Sequence, residues 1–259
     1  MKLVLDGNKC KTFVEIFKNI KSLATVANIV VNSEGMYLNG MDQAHICCYD
    51  MVLSKQWFDE YELDTEESIV LGVNINILHK ILSTKQEGQK LQLGYVNNGD
   101  KLNILFISED KKMFNNWFAM PLIDLDIDNV DIPEKEHQVD INLPVTTLTL
   151  LIEQIAIFND RFKIECKDTG IVFIVDGEDG NMRLNMDLEA IEDYSIEEDL
   201  ELKCGYSTKL VQKICSFKQI ASGVFIGLSK NYPMEIKYTI DDNSYFRAMI
   251  APNIDEEDD

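Results

Sequence analysis

The residues able to do chemistry in this chain are plentiful but ungrouped. It carries 45 Asp and Glu, three His and six Cys. It contains no GxSxG, no GxxxxGK followed by Ser or Thr, no HExxH and no paired CxxC, the spacings that nucleophilic, phosphate-cradling and metal chemistry require. His45, His79 and His137 are dispersed. The runs 192–199 (EDYSIEED) and 254–259 (IDEEDD) read as a solvated acidic loop and tail, not a paired general acid and base. Cys47 and Cys48 are adjacent, a spacing that matches no zinc or redox motif, and all six cysteines read as reduced, packed thiols. No enzyme activity, metal or cofactor is therefore expected.

Lysine is the residue whose placement is informative. The formal net charge is −21, which by default repels nucleic acid. Yet four helical spans hold nine lysines (Lys9, Lys11, Lys18, Lys21, Lys80, Lys85, Lys209, Lys213 and Lys218) against two acids, Glu15 and Glu153. The remainder keeps 15 basic and 43 acidic residues. Basic helices on an acidic body form a strip whose field dominates within a screening length of about 8 to 10 Å. Phosphate backbone is its natural target. There is no helix rich in Arg, Asn and Gln to read base edges, and no aromatic stacking platform, so contact is expected to be independent of sequence.

The elements that must position these lysines follow from periodicity. The helix at Asn8 to Leu23 turns Cys10, Phe13, Phe17 and Ile20 to one face and Lys11 and Lys18 to the other. A second, about Asn74 to Gln86, is expected to bury Ile77, Leu78, Ile81 and Leu82. Val145 to Phe158 and Ser207 to Ile220 are the third and fourth, the last burying Leu210, Ile214 and Phe217 beneath exposed Lys209, Gln212, Lys213 and Ser216. Short β-rich runs fill the rest, with turns at Asn32-Ser33-Glu34-Gly35 and Asp168-Thr169-Gly170. The Gly35 segment GMYLNGMD finds its counterpart at Gly170, so one unit is written twice. This is an α+β architecture: two similar halves, each with two helices on one face of antiparallel sheet. The length suits two domains of about 120 to 130 residues. No apolar run approaches the roughly 18 residues of a membrane span, and the start MKLVLDGNKCK lacks a secretory core, so neither membrane association nor export is expected.

Between the halves lies LIDLDIDNVDIPEKEHQ, Leu122 to Gln138. Asp124, Asp126 and Asp128 alternate with Leu125 and Ile127, the pattern of an edge strand with a wet face. Pro133 ends it, because proline lacks an amide proton and holds the preceding residue extended.

The internal repeat, the LNGMDQAHI segment from Leu38 to Ile46, Gly72-Val73-Asn74, the LIDLDI…IPE linker and the terminal APNIDEEDD together resemble the proliferating cell nuclear antigen family of sliding DNA clamps, over essentially the whole chain. The resemblance implies N- and C-terminal clamp domains at 1–120 and 140–259 joined by a connector at 121–139. It implies a homotrimeric ring whose helices line a central hole for double-stranded DNA, opened by a clamp loader. Such a ring acts as a DNA polymerase processivity factor and a docking platform for replication and repair proteins, in the nucleus or a viral replication compartment. Carried over residue by residue, Lys11, Lys18, Lys21, Lys80, Lys209, Lys213 and Lys218, with Lys111 and Lys112, face DNA. Met41, His45, Ile46 and Cys48, with Val130, Ile132 and Pro133 from the linker and Pro233, Ile250, Ala251 and Pro252, form an apolar dish for a short partner helix.

The chain departs from the family at defined places. Helix three has no basic residue, and its inner stripe reads Thr146, Leu150, Glu153 and Ile157, where the family usually places arginines and a histidine. His137 stands for a linker tyrosine, and Ala248 and Met249 for two aromatics, which implies a pocket with other anchors. Lys167 lies one position away from the family's ubiquitin-acceptor lysine. Two other functions compete with the clamp: a non-trimeric or heteromeric clamp relative, since the edges near Lys111 to Phe118 and Gly180 to Leu188 decide subunit pairing, and an acidic protein-binding scaffold without DNA, in which the helix lysines are dispensable.

Overall fold

A computed structural model describes residues 1–110, 112–126, 132–178 and 180–253. Lys111, Val130, the linker residues Ile127 and Asp128 and the acidic tail 254–259 lie outside the described residues. The chain divides into two compact units. One comprises Met1–Gln43, Asp50–Val130 and Ile240–Tyr245, the other Ala44–Tyr49, Asp131–Thr239 and Phe246–Asp259.

The first half runs β1 (Lys2–Leu5), α1 (Gly7–Ile20), β2 (Val26–Val31), β3 (Gly35–Met41), β4 (Cys47–Ser54), β5 (Glu60–Glu62), β6 (Ile69–Asn74), α2 (Ile75–Leu82), β7 (Lys90–Gly94), β8 (Lys101–Ile107) and β9 (Asn116–Pro121). The second repeats that order of helices and strands: β10 (Val139–Pro144), α3 (Val145–Ile155), β11 (Arg161–Lys167), β12 (Gly170–Gly177), β13 (Gly180–Met186), β14 (Asp193–Ile196), β15 (Leu202–Ser207), α4 (Thr208–Cys215), β16 (Gly223–Leu228), β17 (Met234–Asp241) and β18 (Ser244–Ile250). The repeat read from Gly35 and Gly170 is thus a repeat of structure, since each glycine opens the equivalent strand.

In the first unit β5-β1-β7-β8-β9 form one sheet, and β2 pairs antiparallel with β3 on one side and β6 on the other. In the second, β14-β10-β16-β17 are successive neighbours and β13-β12-β11-β15 form a four-stranded antiparallel sheet. Strands alternate buried and half-exposed residues, as β2 does along VANIVV, because successive side chains point to opposite faces. The helices α1 and α2 pack together in the first unit, as α3 and α4 do in the second. Each helix buries an apolar stripe: Cys10, Phe13, Ile16, Phe17 and Ile20 on α1, and Leu210, Val211 and Ile214 on α4. In the second unit Phe217 stacks on Phe246 at 3.7 Å between ring centroids, a contact that fixes the short 3-10 turn after α4 on its sheet.

Local chemistry sets the helix starts. Asn74 and Ser207 occupy equivalent positions, and each side chain accepts a hydrogen bond from the backbone N–H three residues on, at Ile77 and Leu210. Such a cap stabilises a helix by about 1 kcal/mol. At the β2–β3 turn the Asn32 side chain accepts from the Glu34 and Gly35 amides, and the Tyr61 hydroxyl donates to the carbonyls of Asn32 and Gly35. A Cβ on Gly35 would sit 2.3 Å from the Leu53 carbonyl oxygen, which excludes any side chain there.

Three expectations need correction. Helix two is shorter than its apolar run, and it buries Ile75, Leu78 and Leu82 while Ile77 is 46% exposed and Ile81 half-buried. The buried stripe is Ile75, Leu78 and Leu82, at i, i+3 and i+7, and Ile77 lies about 100° round the helix from Leu78 and so falls outside it. Helix four stops at Cys215 and continues as a 3-10 turn at Ser216–Gln219. The acidic segment is not an edge strand over its described part: β9 ends at Pro121, and residues 122–126 are extended without strand pairing. The alternation itself stands, with Asp124 and Asp126 exposed and Leu125 half-buried.

Candidate functional site

Two sets of residues are candidates: the cations on the helices, and the residues on which the chain is seated as it leaves the last strand of each half. On α1, Lys11 and Lys18 are exposed, as is Lys21 at the C-terminal cap; on α2, Lys80 is exposed. Lys18 donates to Glu15 at 2.9 Å and Lys11 lies 3.7 Å from Glu87. His79 marks where the two helices meet. Its imidazole is held below its ordinary value, first by burial and then by the charges of Lys21 and Lys18.

In the second unit Lys209, Lys213 and Lys218 are exposed, with Lys209 paired to Asp160 and Lys218 3.9 Å from Glu153. Lys112, beyond β8, is exposed as well. The partner helix α3 presents no cation. Thr146, Leu150, Glu153 and Ile157 are all exposed, Leu150 at 59% and Ile157 at 77%. These cations carry no feature that reads bases, so what they can do is hold phosphates.

The connector is seated by glycines. In the first unit the Ile123 amide donates to the Gly72 carbonyl at 2.9 Å, and a Cβ on Gly72 would lie 2.0 Å from the Ile123 oxygen. The Asn28 side chain, paired across from Gly72, donates to the Leu125 carbonyl. In the second unit His137 lies over Gly227, where a Cβ would come within 2.2 Å of the ring. Its Nε2 is 2.9 Å from a Glu235 carboxylate oxygen, and both side chains are almost fully buried. Lys135 sits over the Tyr232 ring at 3.8 Å, and Arg247 donates to the Ile132 carbonyl at 3.2 Å.

The residues of the docking dish distribute unevenly. In the second unit His45 adopts a left-handed backbone, φ 56°, and is exposed with Ile46, whose carbonyl accepts from the Ala251 amide at 2.9 Å. Ile132, Pro233, Ala251, Pro252 and Cys48 are half-exposed and Pro133 is exposed. Met41, in the first unit, is half-exposed too. Ile250 is fully buried and supports a surface without presenting one, and Ala248 and Met249 are buried likewise. His137 is buried in its pair with Glu235, so it fastens the connector and does not rim an open pocket. Sequence reading missed Glu235, Gly227 and Arg247, because their partners lie about a hundred positions away and nothing local marks them.

Comparison with known proteins agrees with this geometry. A family model for the proliferating cell nuclear antigen N-terminal domain matches residues 6–130, and one for the C-terminal domain matches residues 131–253. A proliferating cell nuclear antigen from Chaetomium thermophilum is 28% identical over 244 residues, covering 92% of this chain and 93% of the relative. With two such domains and four helices on antiparallel sheets, the chain belongs to the proliferating cell nuclear antigen family, the sliding clamps that serve as DNA polymerase processivity factors in replication and repair.

Proposed function

We propose that this clamp works as a homotrimeric ring around duplex DNA and as a non-enzymatic scaffold. The observation that supports this reading is the exposure of Lys11, Lys18 and Lys80 on the first unit's helix pair and of Lys209 and Lys213 on α4, in a chain of net charge −21. Lys21, Lys218 and Lys112 extend the same lining, as does Lys111, outside the described residues. Lysines hold the phosphate backbone through charge alone, so the protein slides without recognising bases. With α3 lacking cations, the second half grips DNA through α4 only.

In the second unit the exposed and half-exposed residues His45, Ile46, Cys48, Ile132, Pro133, Pro233, Ala251 and Pro252 take short helical motifs of DNA polymerase and other replication and repair proteins. Ile250 supports it from beneath. The domains extend over 1–120 and 140–259 with a connector at 121–139, and a clamp loader opens the ring in the nucleus. The outermost strands β9 and β13 suit head-to-tail pairing between copies, which closes a ring when the rotation per subunit is a third of a turn.

Replacing Lys11, Lys18, Lys80 and Lys209 together by alanine tests the lining through polymerase processivity on primed circular DNA. Four lost phosphate contacts should cut stimulation on the order of tenfold or more at low salt, with a shallower salt dependence in the variant. Unchanged stimulation contradicts the assignment.

A further inference from the structure

The two halves differ most in charge on one face that the repeat makes equivalent. In the first unit β2 lies beside β6 with Asn28 opposite Gly72. In the second β11 lies beside β15 with Lys163 opposite Gly205. The outward positions of β2 are Val26, Asn28 and Val30, and those of β3 include Tyr37 and Asn39, with no cation among them. Their counterparts on β11 are Arg161, Lys163 and Glu165, and the strand ends outward at Lys167. Lys203 on β15 and Arg183 on β13 join them, so the four-stranded face gathers five cations against Glu165 and Asp176 on the strands and Glu201 just before β15, which pairs with Lys167 at 2.7 Å. Nothing in the fold demands this, because the first half makes the equivalent strand pair, β2 and β6, with no charged residue facing outward.

The face is also shaped. A cleft of about 190 Å³ opens over Gly205, bordered by Arg161, Lys163, Asn159, Asn253 and Asp176. Register places Arg183, Ile174, Lys163 and Gly205 in one row across the strands. With strands about 4.8 Å apart, the two cations of that row stand about 10 Å apart with an aliphatic between them. Arg183 is 61% and Lys203 56% exposed. Glu165, between the rows, has its carboxyl held below the ordinary range by its hydrogen bond from Lys203, with the charges of Lys203, Arg183 and Lys167 adding to it. The local field is positive on a negative protein.

What such a face takes is indicated by its counterpart. In the first unit an extended acidic-aliphatic segment, Leu122-Ile123-Asp124-Leu125-Asp126, crosses at Gly72, its backbone held by the Gly72 carbonyl and the Asn28 side chain. The second half has the same crossing point: the Asn253 amide donates to the Gly205 carbonyl at 2.7 Å. There Lys163 replaces Asn28. We propose that the outward face of β13-β12-β11-β15 is a docking surface for an extended acidic peptide segment of a partner protein, its carboxylates on Lys163, Arg161, Arg183 and Lys203 and its aliphatic side chains on Ile174 and Val172. A nucleic acid strand fits less well, because the half-exposed middle of the face, Val172 and Ile174, is aliphatic and offers no ring for bases to stack on.

The test is fluorescence anisotropy with a fluorescein-labelled peptide of alternating aspartate and leucine, beside a labelled oligothymidylate of equal length and the peptide with asparagine for aspartate. The full chain should bind the acidic peptide saturably at low salt. K163E/R183E should weaken that binding at least tenfold with the melting temperature retained, and K101E, on β8, should leave it unchanged. Should the double variant fail to fold, K203E alone must weaken it severalfold. Absence of saturable binding, equal binding of the asparagine peptide, or indifference to these reversals overturns the proposal. Tighter binding of oligothymidylate that is lost in K163E/R183E assigns the face to phosphate instead. Peptide binding that appears only when residues 254–259 are removed assigns it to the chain's own tail.

Discussion

Asp140 shows how much a single side chain can carry. It lies on β10 beside the His137–Glu235 pair, and its Oδ1 is buried without a hydrogen-bond partner among the described residues. Burial raises its pKa above the ordinary carboxylate value, and the acids Glu235, Asp193 and Glu136 raise it further against the opposing pull of His137. A carboxyl whose folded pKa is raised contributes stability that is fully present below its unfolded pKa and lost as pH rises through the folded one. At neutral pH the ionised group therefore costs stability. Asp140→Asn should raise stability at pH 7, and the gain should vanish below the unfolded pKa near 3.8. Denaturant titrations at the two pH values check this; a loss at pH 7 would show that Asp140 is held by an interaction the present partners do not explain. None of this was legible in the sequence, where Asp140 is one of 45 acids.

At the scale of elements, the glycines at the exits of the two halves make a paired prediction. Both are crossed by chain leaving the last strand of their half, yet with different clearance. A Cβ on Gly72 meets the Ile123 backbone oxygen at 2.0 Å, whereas one on Gly205 meets the Asn253 side chain at 3.5 Å and the Phe162 carbonyl oxygen at 3.7 Å, both ordinary contacts. Gly72→Ala should therefore displace residues 122–126, cost about 2 kcal/mol by overpacking and speed amide exchange at Ile123, while Gly205→Ala costs under about 1 kcal/mol. Equal effects from the two would contradict this seating. The helices, the turns at Gly35 and Gly170 and the order of elements were legible because periodicity and turn chemistry are local signals. The orientation of Ile77 was not, since the apolar run Ile75, Ile77, Leu78, Ile81 and Leu82 is wider than the stripe the helix buries, and only packing decides which edge faces out. The acidic segment read as a strand because alternation reports which side is wet, not whether a neighbouring strand supplies hydrogen bonds.

At the scale of the whole molecule, charge and assembly are the issues. A chain of net charge −21 repels DNA beyond a screening length, so equilibrium affinity of the free protein for DNA should be weak, and retention must come from topology. Light scattering on the purified protein should give three times the 29.7 kDa chain mass. A monomer or dimer would favour the heteromeric clamp relative. The family resemblance was legible only as five separated motifs in order; the seating of the connector was not, because the buried pair His137–Glu235 joins residues 98 positions apart.

Retention on closed and cut DNA tests encirclement most directly. Protein loaded by its clamp loader onto a nicked circular plasmid should stay bound through a high-salt gel filtration, and leave within minutes once a single restriction cut makes the DNA linear. Loss from the uncut circle at the same rate, or persistence on the linear form with free ends, would contradict a ring that holds DNA by surrounding it.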